Sequence, residues 1–147
     1  MPDNASPSKR FRELRERAGL SHDEAAKRMG VSSPCIWDIE SFEDELCSCF
    51  SPFEVRQFCE VLGARPAEPF DVSTTESAVS AKELVERIHA ECRKRGVTLE
   101  QFEDAVGWRL GQCMEPPERL LNDMTLDGLK WLCRELGIDW HRVILGL

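Results

Sequence analysis

Residues 19–40, which read GLSHDEAAKRMGVSSPCIWDIE, decide the fold of this chain. Ser21 stands three positions before Glu24, which is the spacing of a capping box at the start of a helix. That helix is predicted to end at Gly30, because glycine readily adopts the left-handed conformation that closes many helices. Ser33-Pro34 then begins a second helix, since proline is favoured in a first helical turn. The stretch therefore predicts two short helices joined by a tight turn.

The rest of the chain carries the same signals for short amphipathic helices. Apolar residues recur three or four positions apart, and a hydroxyl residue that can cap a helix stands before each such segment. Further helix starts are predicted at Ser8, Ser51, Ser80, Thr98 and Thr125. Because no segment alternates apolar and polar residues in the manner of a strand, the predicted fold class is all-α.

The two halves of the chain repeat one pattern of caps and apolar positions. A shift of 77 residues superposes residues 19–30 on residues 96–107, with glycines at both ends of each stretch. Between the halves the helical periodicity is lost, and Pro, Ser and Thr accumulate. We therefore predict an internal duplication, with two tandem units of four to five helices each. The predicted boundaries are a first unit at 8–63, a linker at 64–80 and a second, degenerate unit at 81–147.

Charge and composition limit the classes of function. The chain has 19 basic and 27 acidic residues in 147, and its net charge of −8 is unlike that of a generally basic nucleic-acid binder. No apolar run approaches the roughly 18 to 20 residues that cross a bilayer, and the first residues do not resemble a signal peptide. We therefore expect a cytoplasmic protein that makes no membrane contact.

The reactive residue types show no catalytic or metal-binding pattern. The seven cysteines lie singly in apolar stripes or as the close pair Cys47 and Cys49, so we expect buried, reduced thiols. The three histidines are far apart in sequence, and neither a glycine-rich phosphate loop nor a nucleophile motif is present. We therefore expect no catalytic residue, no metal and no cofactor, and we predict that the protein is not an enzyme.

Residues 8–63 resemble the lambda-repressor-like, Cro/cI-type (XRE) helix-turn-helix family. The resemblance rests on five features in order: Leu14-Arg15, Gly19-Leu20-Ser21, Ala25, Gly30-Val31-Ser32 and the ending Ile36, Ile39-Glu40. It implies a DNA-binding transcriptional regulator, in which the third helix enters the major groove and the start of the second touches phosphate. Carried over by position, the implied DNA contacts are Ser21, His22, Ser32, Ser33, Pro34 and Asp38.

The local charge does not suit a polyanion. The stretch from Met29 to Val55 contains six acidic residues and neither Lys nor Arg, whereas DNA affinity depends on neutralised phosphates. Basic residues are concentrated instead on the first helix, chiefly at Arg12, Arg15 and Arg17. They either contact DNA or form a solvated helix face with pairs such as Arg12–Glu16.

Trp37 suggests an alternative function on the same fold. In DNA-binding relatives a polar side chain is usual at this position of the third helix, and here carboxylates follow the tryptophan. An aromatic residue within an acidic rim resembles a protein-binding hot spot, unless it packs beneath the loop from Phe42 to Phe53. The alternative is an antitoxin, immunity factor or DNA-mimicking inhibitor that docks on a basic protein; a homodimer is compatible with either function. The residues assigned to that docking surface are Trp37, Asp38, Glu43, Asp44 and Glu45.

The second unit departs from the family pattern. Residues 108–117 stand where its third helix belongs, and their double proline ends any helix there after about two turns. Trp108, Leu110 and Met114 are expected to pack against the first unit, which makes this copy a scaffold or dimerisation element. Two further aromatic residues are expected in the core or between the units: Trp131 and Trp140.

Overall fold

The computed structural model describes residues 6–72 and 76–147. Over these ranges the chain forms helices and turns without a strand, which confirms the all-α prediction. The α-helices are α1 Pro7–Arg17, α2 His22–Met29, α3 Ser33–Ser41, α4 Glu45–Cys49, α5 Pro52–Val61, α6 Ala81–Arg95, α7 Leu99–Val106, α8 Arg119–Asp123, α9 Leu126–Leu136 and α10 His141–Leu145. A short 3-10 helix lies at Glu68–Phe70. In the described ranges, none of the helices is long and apolar enough to cross a bilayer.

Of the ten α-helices in the described ranges, five start at predicted caps. In each case the side-chain hydroxyl accepts a hydrogen bond from the backbone N–H three residues later, which satisfies one orphan donor of the first turn. The capping residues are Ser21, Ser51, Ser80, Thr98 and Thr125. The prediction at Ser8 is wrong, because Ser6 accepts from the Lys9 N–H and α1 begins at Pro7.

The turn between α2 and α3 has the geometry that its sequence predicts. Gly30 has φ 74°, a conformation that a residue with a side chain adopts only with strain. Ala25 of α2 is fully buried, and its small side chain allows the neighbouring helices to approach closely. Ile36 and Ile39 of α3 are also fully buried. One side of α3 therefore faces the core, and the opposite side is left for solvent.

The two predicted units are in direct contact. Helix α4 packs on α9 and α5 packs on α8, so the apolar residues of both halves form one core. The backbone N–H of Leu126 donates to the Phe50 carbonyl at 3.0 Å. The Ser48 hydroxyl donates to the Asp127 carboxylate at 2.7 Å. The halves therefore stabilise each other.

The predicted linker contains ordered structure. Its 3-10 helix packs against α1, and its Phe70 is buried. Residues 73–75 of this segment lie outside the described residues. The boundary at 64–80 stays a prediction, but the segment contributes to the core and does more than connect the halves.

The second unit lacks the third helix that its sequence suggested. Residues 107–118 form turns and irregular structure, so the prediction of a short helix there is wrong. Leu110 and Met114 of this irregular segment are buried in the core, and their packing against the first unit stays a prediction. Trp108 lies against Gly128 of α9, within its own half, where a Cβ would come within 3.2 Å of the indole.

Trp131 and Trp140, the two tryptophans of the C-terminal part, have different environments. Trp140 is half-buried and makes an edge contact with Phe70, with ring centroids 5.6 Å apart, so its predicted packing role is confirmed. The prediction for Trp131 is wrong, because this side chain is 54% exposed. Leu129 and Leu132 occupy the buried side of α9, which leaves position 131 on the opposite side.

Five of the seven cysteines are buried, as predicted, and all seven are free thiols. Cys35 is partly buried, whereas Cys49 is exposed and contradicts the prediction. Burial raises the pKa of the Cys59 and Cys133 thiols to about 12. Partial desolvation and the neighbouring Glu45 also raise the pKa of Cys49, but its sulfur remains accessible.

Alkylation of the folded protein by iodoacetamide is expected to modify Cys49 first. Cys59 and Cys133 are expected to resist, because the thiolate is the nucleophile and their burial both blocks access and disfavours ionisation. Peptide mass spectrometry over a time course measures the order, and the unfolded protein in denaturant is the control in which every cysteine reacts. Modification of Cys59 or Cys133 before Cys49 in the folded state would contradict this assignment.

Candidate binding surface on the third helix

A buried ion pair fixes α3 against α1. The side chains of Arg15 and Glu40 are 8% and 5% exposed. Arg15 Nε donates to Glu40 Oε2 at 3.0 Å, and Nη2 donates to Oε1 at 2.9 Å. Arg15 Nη1 also donates to the Leu20 carbonyl at 2.8 Å. This two-pronged geometry holds both helices and the turn between α1 and α2 in one arrangement.

The predicted basic face of α1 is therefore smaller than its sequence implies. Arg15 is buried, so its assignment to the exposed basic face is wrong. Arg15 follows the buried Phe11 by four positions, and residues four apart share one side of a helix. Arg12 is exposed and pairs with Glu16 at 3.1 Å, as predicted. Arg17 pairs with Glu68 at 3.4 Å. Each of these two exposed arginines thus has a carboxylate partner within the chain.

His22 links the buried ion pair to an exposed aromatic ring. Its Nε2 lies 3.3 Å from Oε2 of Glu40. Its imidazole stacks on the Trp37 indole with ring centroids 3.7 Å apart and an interplanar angle of 6°. The first turn of α2 thereby supports one face of Trp37.

The Trp37 side chain lies on the solvent side of α3 and is 55% exposed. The alternative in which it packs beneath the loop from Phe42 to Phe53 is wrong, since Ile36 and Ile39 take the buried side of the helix. Phe42, directly after α3, is also exposed, a feature that sequence reasoning missed.

The residues assigned to DNA contact by resemblance lie at the start of α2, in the turn and on α3. The hydroxyls of Ser21 and Ser33 are already engaged, Ser21 by the Glu24 N–H and Ser33 by donation to the Asp23 carboxylate. Ser32 is exposed and its side chain makes no capping bond. The other members of the set are His22, which stacks on Trp37, and the exposed Pro34 and Asp38. As a group they offer few free donors to a base edge.

Exposed carboxylates dominate the same region. Glu40 is turned inward to Arg15, so the acidic groups that face outward are fewer than the sequence count. The carboxylates of Glu45, Asp38 and Glu54 nevertheless add to burial in raising the pKa of the Cys35 thiol on α3. We call the following set the α3 surface: Pro34, Trp37, Asp38, Glu43, Asp44 and Glu45.

Sequence reasoning missed two exposed basic residues close in sequence to the turn between α2 and α3. Lys27 and Arg28 are exposed in the last turn of α2, immediately before Gly30. Their position is readable from the sequence, because they stand directly before the helix end predicted at Gly30 and basic residues favour the last turn of a helix. In the described part of the chain, no group of three His, Cys, Asp or Glu side chains is arranged to hold a metal ion.

Comparison with known proteins finds one similarity, in the first half of the chain. Residues 8–69 match the family model of a helix-turn-helix domain, and the match extends into the 3-10 helix that packs on α1. Neither a curated protein nor a solved structure matches the chain. The match ends before α6, so the tandem duplication stays a prediction. A helix-turn-helix domain is typically non-enzymatic and supports a DNA-binding, regulator-like role at this coarse level. Residues 8–69 of this chain therefore resemble a helix-turn-helix domain, and their helix order fits the lambda-repressor-like group.

Proposed function

We propose that this chain is a helix-turn-helix regulator-like protein that acts by binding a basic protein through the α3 surface. The observation that carries the proposal is the exposed indole of Trp37, 55% accessible, among exposed carboxylates. Tryptophan anchors are common at the centre of protein interfaces. Opposite charge on the partner speeds association and helps to select that partner. An antitoxin, an immunity factor or a DNA-mimicking inhibitor would work in this way.

Charge is the physical reason for preferring a protein partner to a duplex. The approach of phosphates to the α3 surface is opposed by Asp38, Glu43 and Asp44, each of which is exposed. From Met29 to Val55 the chain has no Lys or Arg to offset them. Neutralisation of phosphates by basic side chains supplies most of the attraction in DNA binding. The α3 surface has no basic side chain and therefore lacks this attraction.

Duplex DNA is the second candidate partner, favoured by the helix-turn-helix match and by the exposed pair Lys27 and Arg28. These side chains lie next to the turn that positions α3, where they are able to reach a phosphate. The contacts proposed for this candidate are those implied by resemblance, at Ser21, His22, Ser32, Ser33, Pro34 and Asp38.

A titration with labelled mixed-sequence duplex separates the two candidates. We expect no saturable binding by the native chain at low salt, because the α3 surface repels phosphate. The variant D38N/E43Q/D44N is expected to gain weak binding that salt weakens. The matched control E86Q/E100Q/D104N removes three exposed charges from α6 and α7 and is expected to gain none.

Saturable duplex binding by the native chain, with an affinity that falls steeply as salt rises, would contradict this expectation. Loss of that binding in K27Q/R28Q would overturn the protein-partner proposal in favour of duplex DNA.

A further inference from the structure

Aromatic rings in this protein repeatedly carry a cation on one face. Lys130 Nζ lies 4.6 Å from the centre of the Trp140 ring. The Arg134 guanidinium lies 5.3 Å from the Trp131 ring. Two phenylalanines are paired in the same way: Phe53 with Arg56 at 4.3 Å and Phe102 with Arg95 at 5.2 Å.

Trp37 is the exposed indole that carries no such cation. Trp37 and Trp131 are exposed to nearly the same extent, at 55% and 54%. Within 6–72 and 76–147, however, neither a Lys nor an Arg lies over the Trp37 ring. His22 stacks in parallel on one face of that ring, and the 55% exposure of the side chain is consistent with an opposite face open to solvent.

The open face of Trp37 is held in place before any partner arrives. His22, which supports it, is in turn fixed beside Glu40 of the buried ion pair. A binding group therefore meets a ring whose orientation is already set, which lowers the entropic cost of association.

We propose that the α3 surface binds an arginine side chain of a basic protein segment, with the guanidinium stacked on the open face of Trp37. The guanidinium is planar and stacks on aromatic rings, and its fork of N–H donors matches a carboxylate. Asp38, the next residue of α3, has an exposed carboxylate that adds to the attraction for a cation. A lysine ammonium offers charge without the planar stacking. The inference rests on the proposed function and names the group that the partner contributes.

The neighbouring acids define the rest of the partner. Glu43 and Asp44 are exposed in the segment between α3 and α4, and they favour further basic residues beside the stacked arginine. A short arginine-bearing segment satisfies both requirements. A duplex has no cationic group to place over the ring, so duplex DNA is a poor occupant of this site.

Binding of oligoarginine and oligolysine peptides of equal length tests the inference. We expect the native chain to bind oligoarginine roughly tenfold more tightly than oligolysine, and Trp37→Ala to remove that preference. Trp131→Ala is the matched control, because Trp131 is equally exposed but already paired with Arg134. Trp37→Phe retains a smaller ring and is expected to keep part of the preference. Fluorescence anisotropy of labelled peptides measures affinity, and circular dichroism verifies folding.

The outcomes separate this inference from the function on which it rests. Equal binding of both peptides, weakened to the same extent by Trp37→Ala and lost in D38N/E43Q/D44N, would overturn the arginine site and leave the basic-partner proposal standing. Failure of the native chain to bind either peptide would overturn both. A preference for oligoarginine that persists undiminished in Trp37→Ala would place the arginine elsewhere and overturn the site.

Discussion

Replacing Arg15 with methionine is expected to lower the free energy of unfolding by about 3–5 kcal/mol. The substitution leaves the Glu40 carboxylate, whose side chain is 5% exposed, without its guanidinium. It also removes the donor to the Leu20 carbonyl. Unpaired buried groups of this kind are among the few causes of large single-residue effects.

Equilibrium unfolding in urea, followed by circular dichroism, measures the effect. Arg12→Met is the matched control, since Arg12 lies on the same helix in an exposed pair with Glu16 and is expected to change stability by less than about 1 kcal/mol. Replacing Arg15 and Glu40 together with apolar residues is expected to recover part of the loss, because no buried charge then remains. Equal stabilities of Arg15→Met and Arg12→Met would contradict the structural role of the pair.

Replacing Leu126 with alanine is expected to cost about 2–5 kcal/mol, as for other fully buried leucines. Leu126 begins α9, and its N–H donates to the Phe50 carbonyl across the two halves. The lost volume therefore lies where the halves join. Leu145→Ala is the control, because Leu145 is exposed on α10.

The Leu126 variant also tests whether the halves behave as one cooperative unit. Because α4 packs on α9 and α5 on α8, we expect one unfolding transition that shifts as a whole. Amide hydrogen exchange is then expected to accelerate in α2 and α3 as well as in α9. Two transitions, with the first half unaffected, would show that the units at 8–63 and 81–147 are energetically independent.

Local features of this fold are readable from sequence because the interactions that create them are local. Ser21 caps α2 through a residue three positions away, and Gly30 ends that helix through its own backbone conformation. The buried side of α3 follows in the same way from the spacing of Ile36 and Ile39, which places Trp37 on the opposite side.

Features that depend on distant residues were not readable in this way. Arg15 and Glu40 are 25 positions apart, so the sequence shows one basic residue among several and one acid among many. The stacking of His22 on Trp37 depends on the angle between α2 and α3. The family resemblance predicted that both helices would be present, but not which side chains would meet across them.

The irregular segment of the second half shows a different limit. Caps at Ser80 and Thr98 predicted α6 and α7 from their own neighbourhoods. Residues 107–118 are instead shaped by where Leu110, Cys113 and Met114 are buried, which only tertiary packing determines. The buried positions of this segment were readable from its apolar residues, but its backbone path was not.

The central claim is that the α3 surface accepts a basic protein segment and rejects duplex DNA. Its most direct test is a pair of ¹H–¹⁵N NMR titrations, one with oligoarginine and one with mixed-sequence duplex at equal concentrations. We predict that oligoarginine shifts the Trp37 indole N–H and the amides of Asp38 and Asp44, and that duplex shifts none of them. Shifts of the α2 and α3 amides with duplex, and none with oligoarginine, would contradict the account.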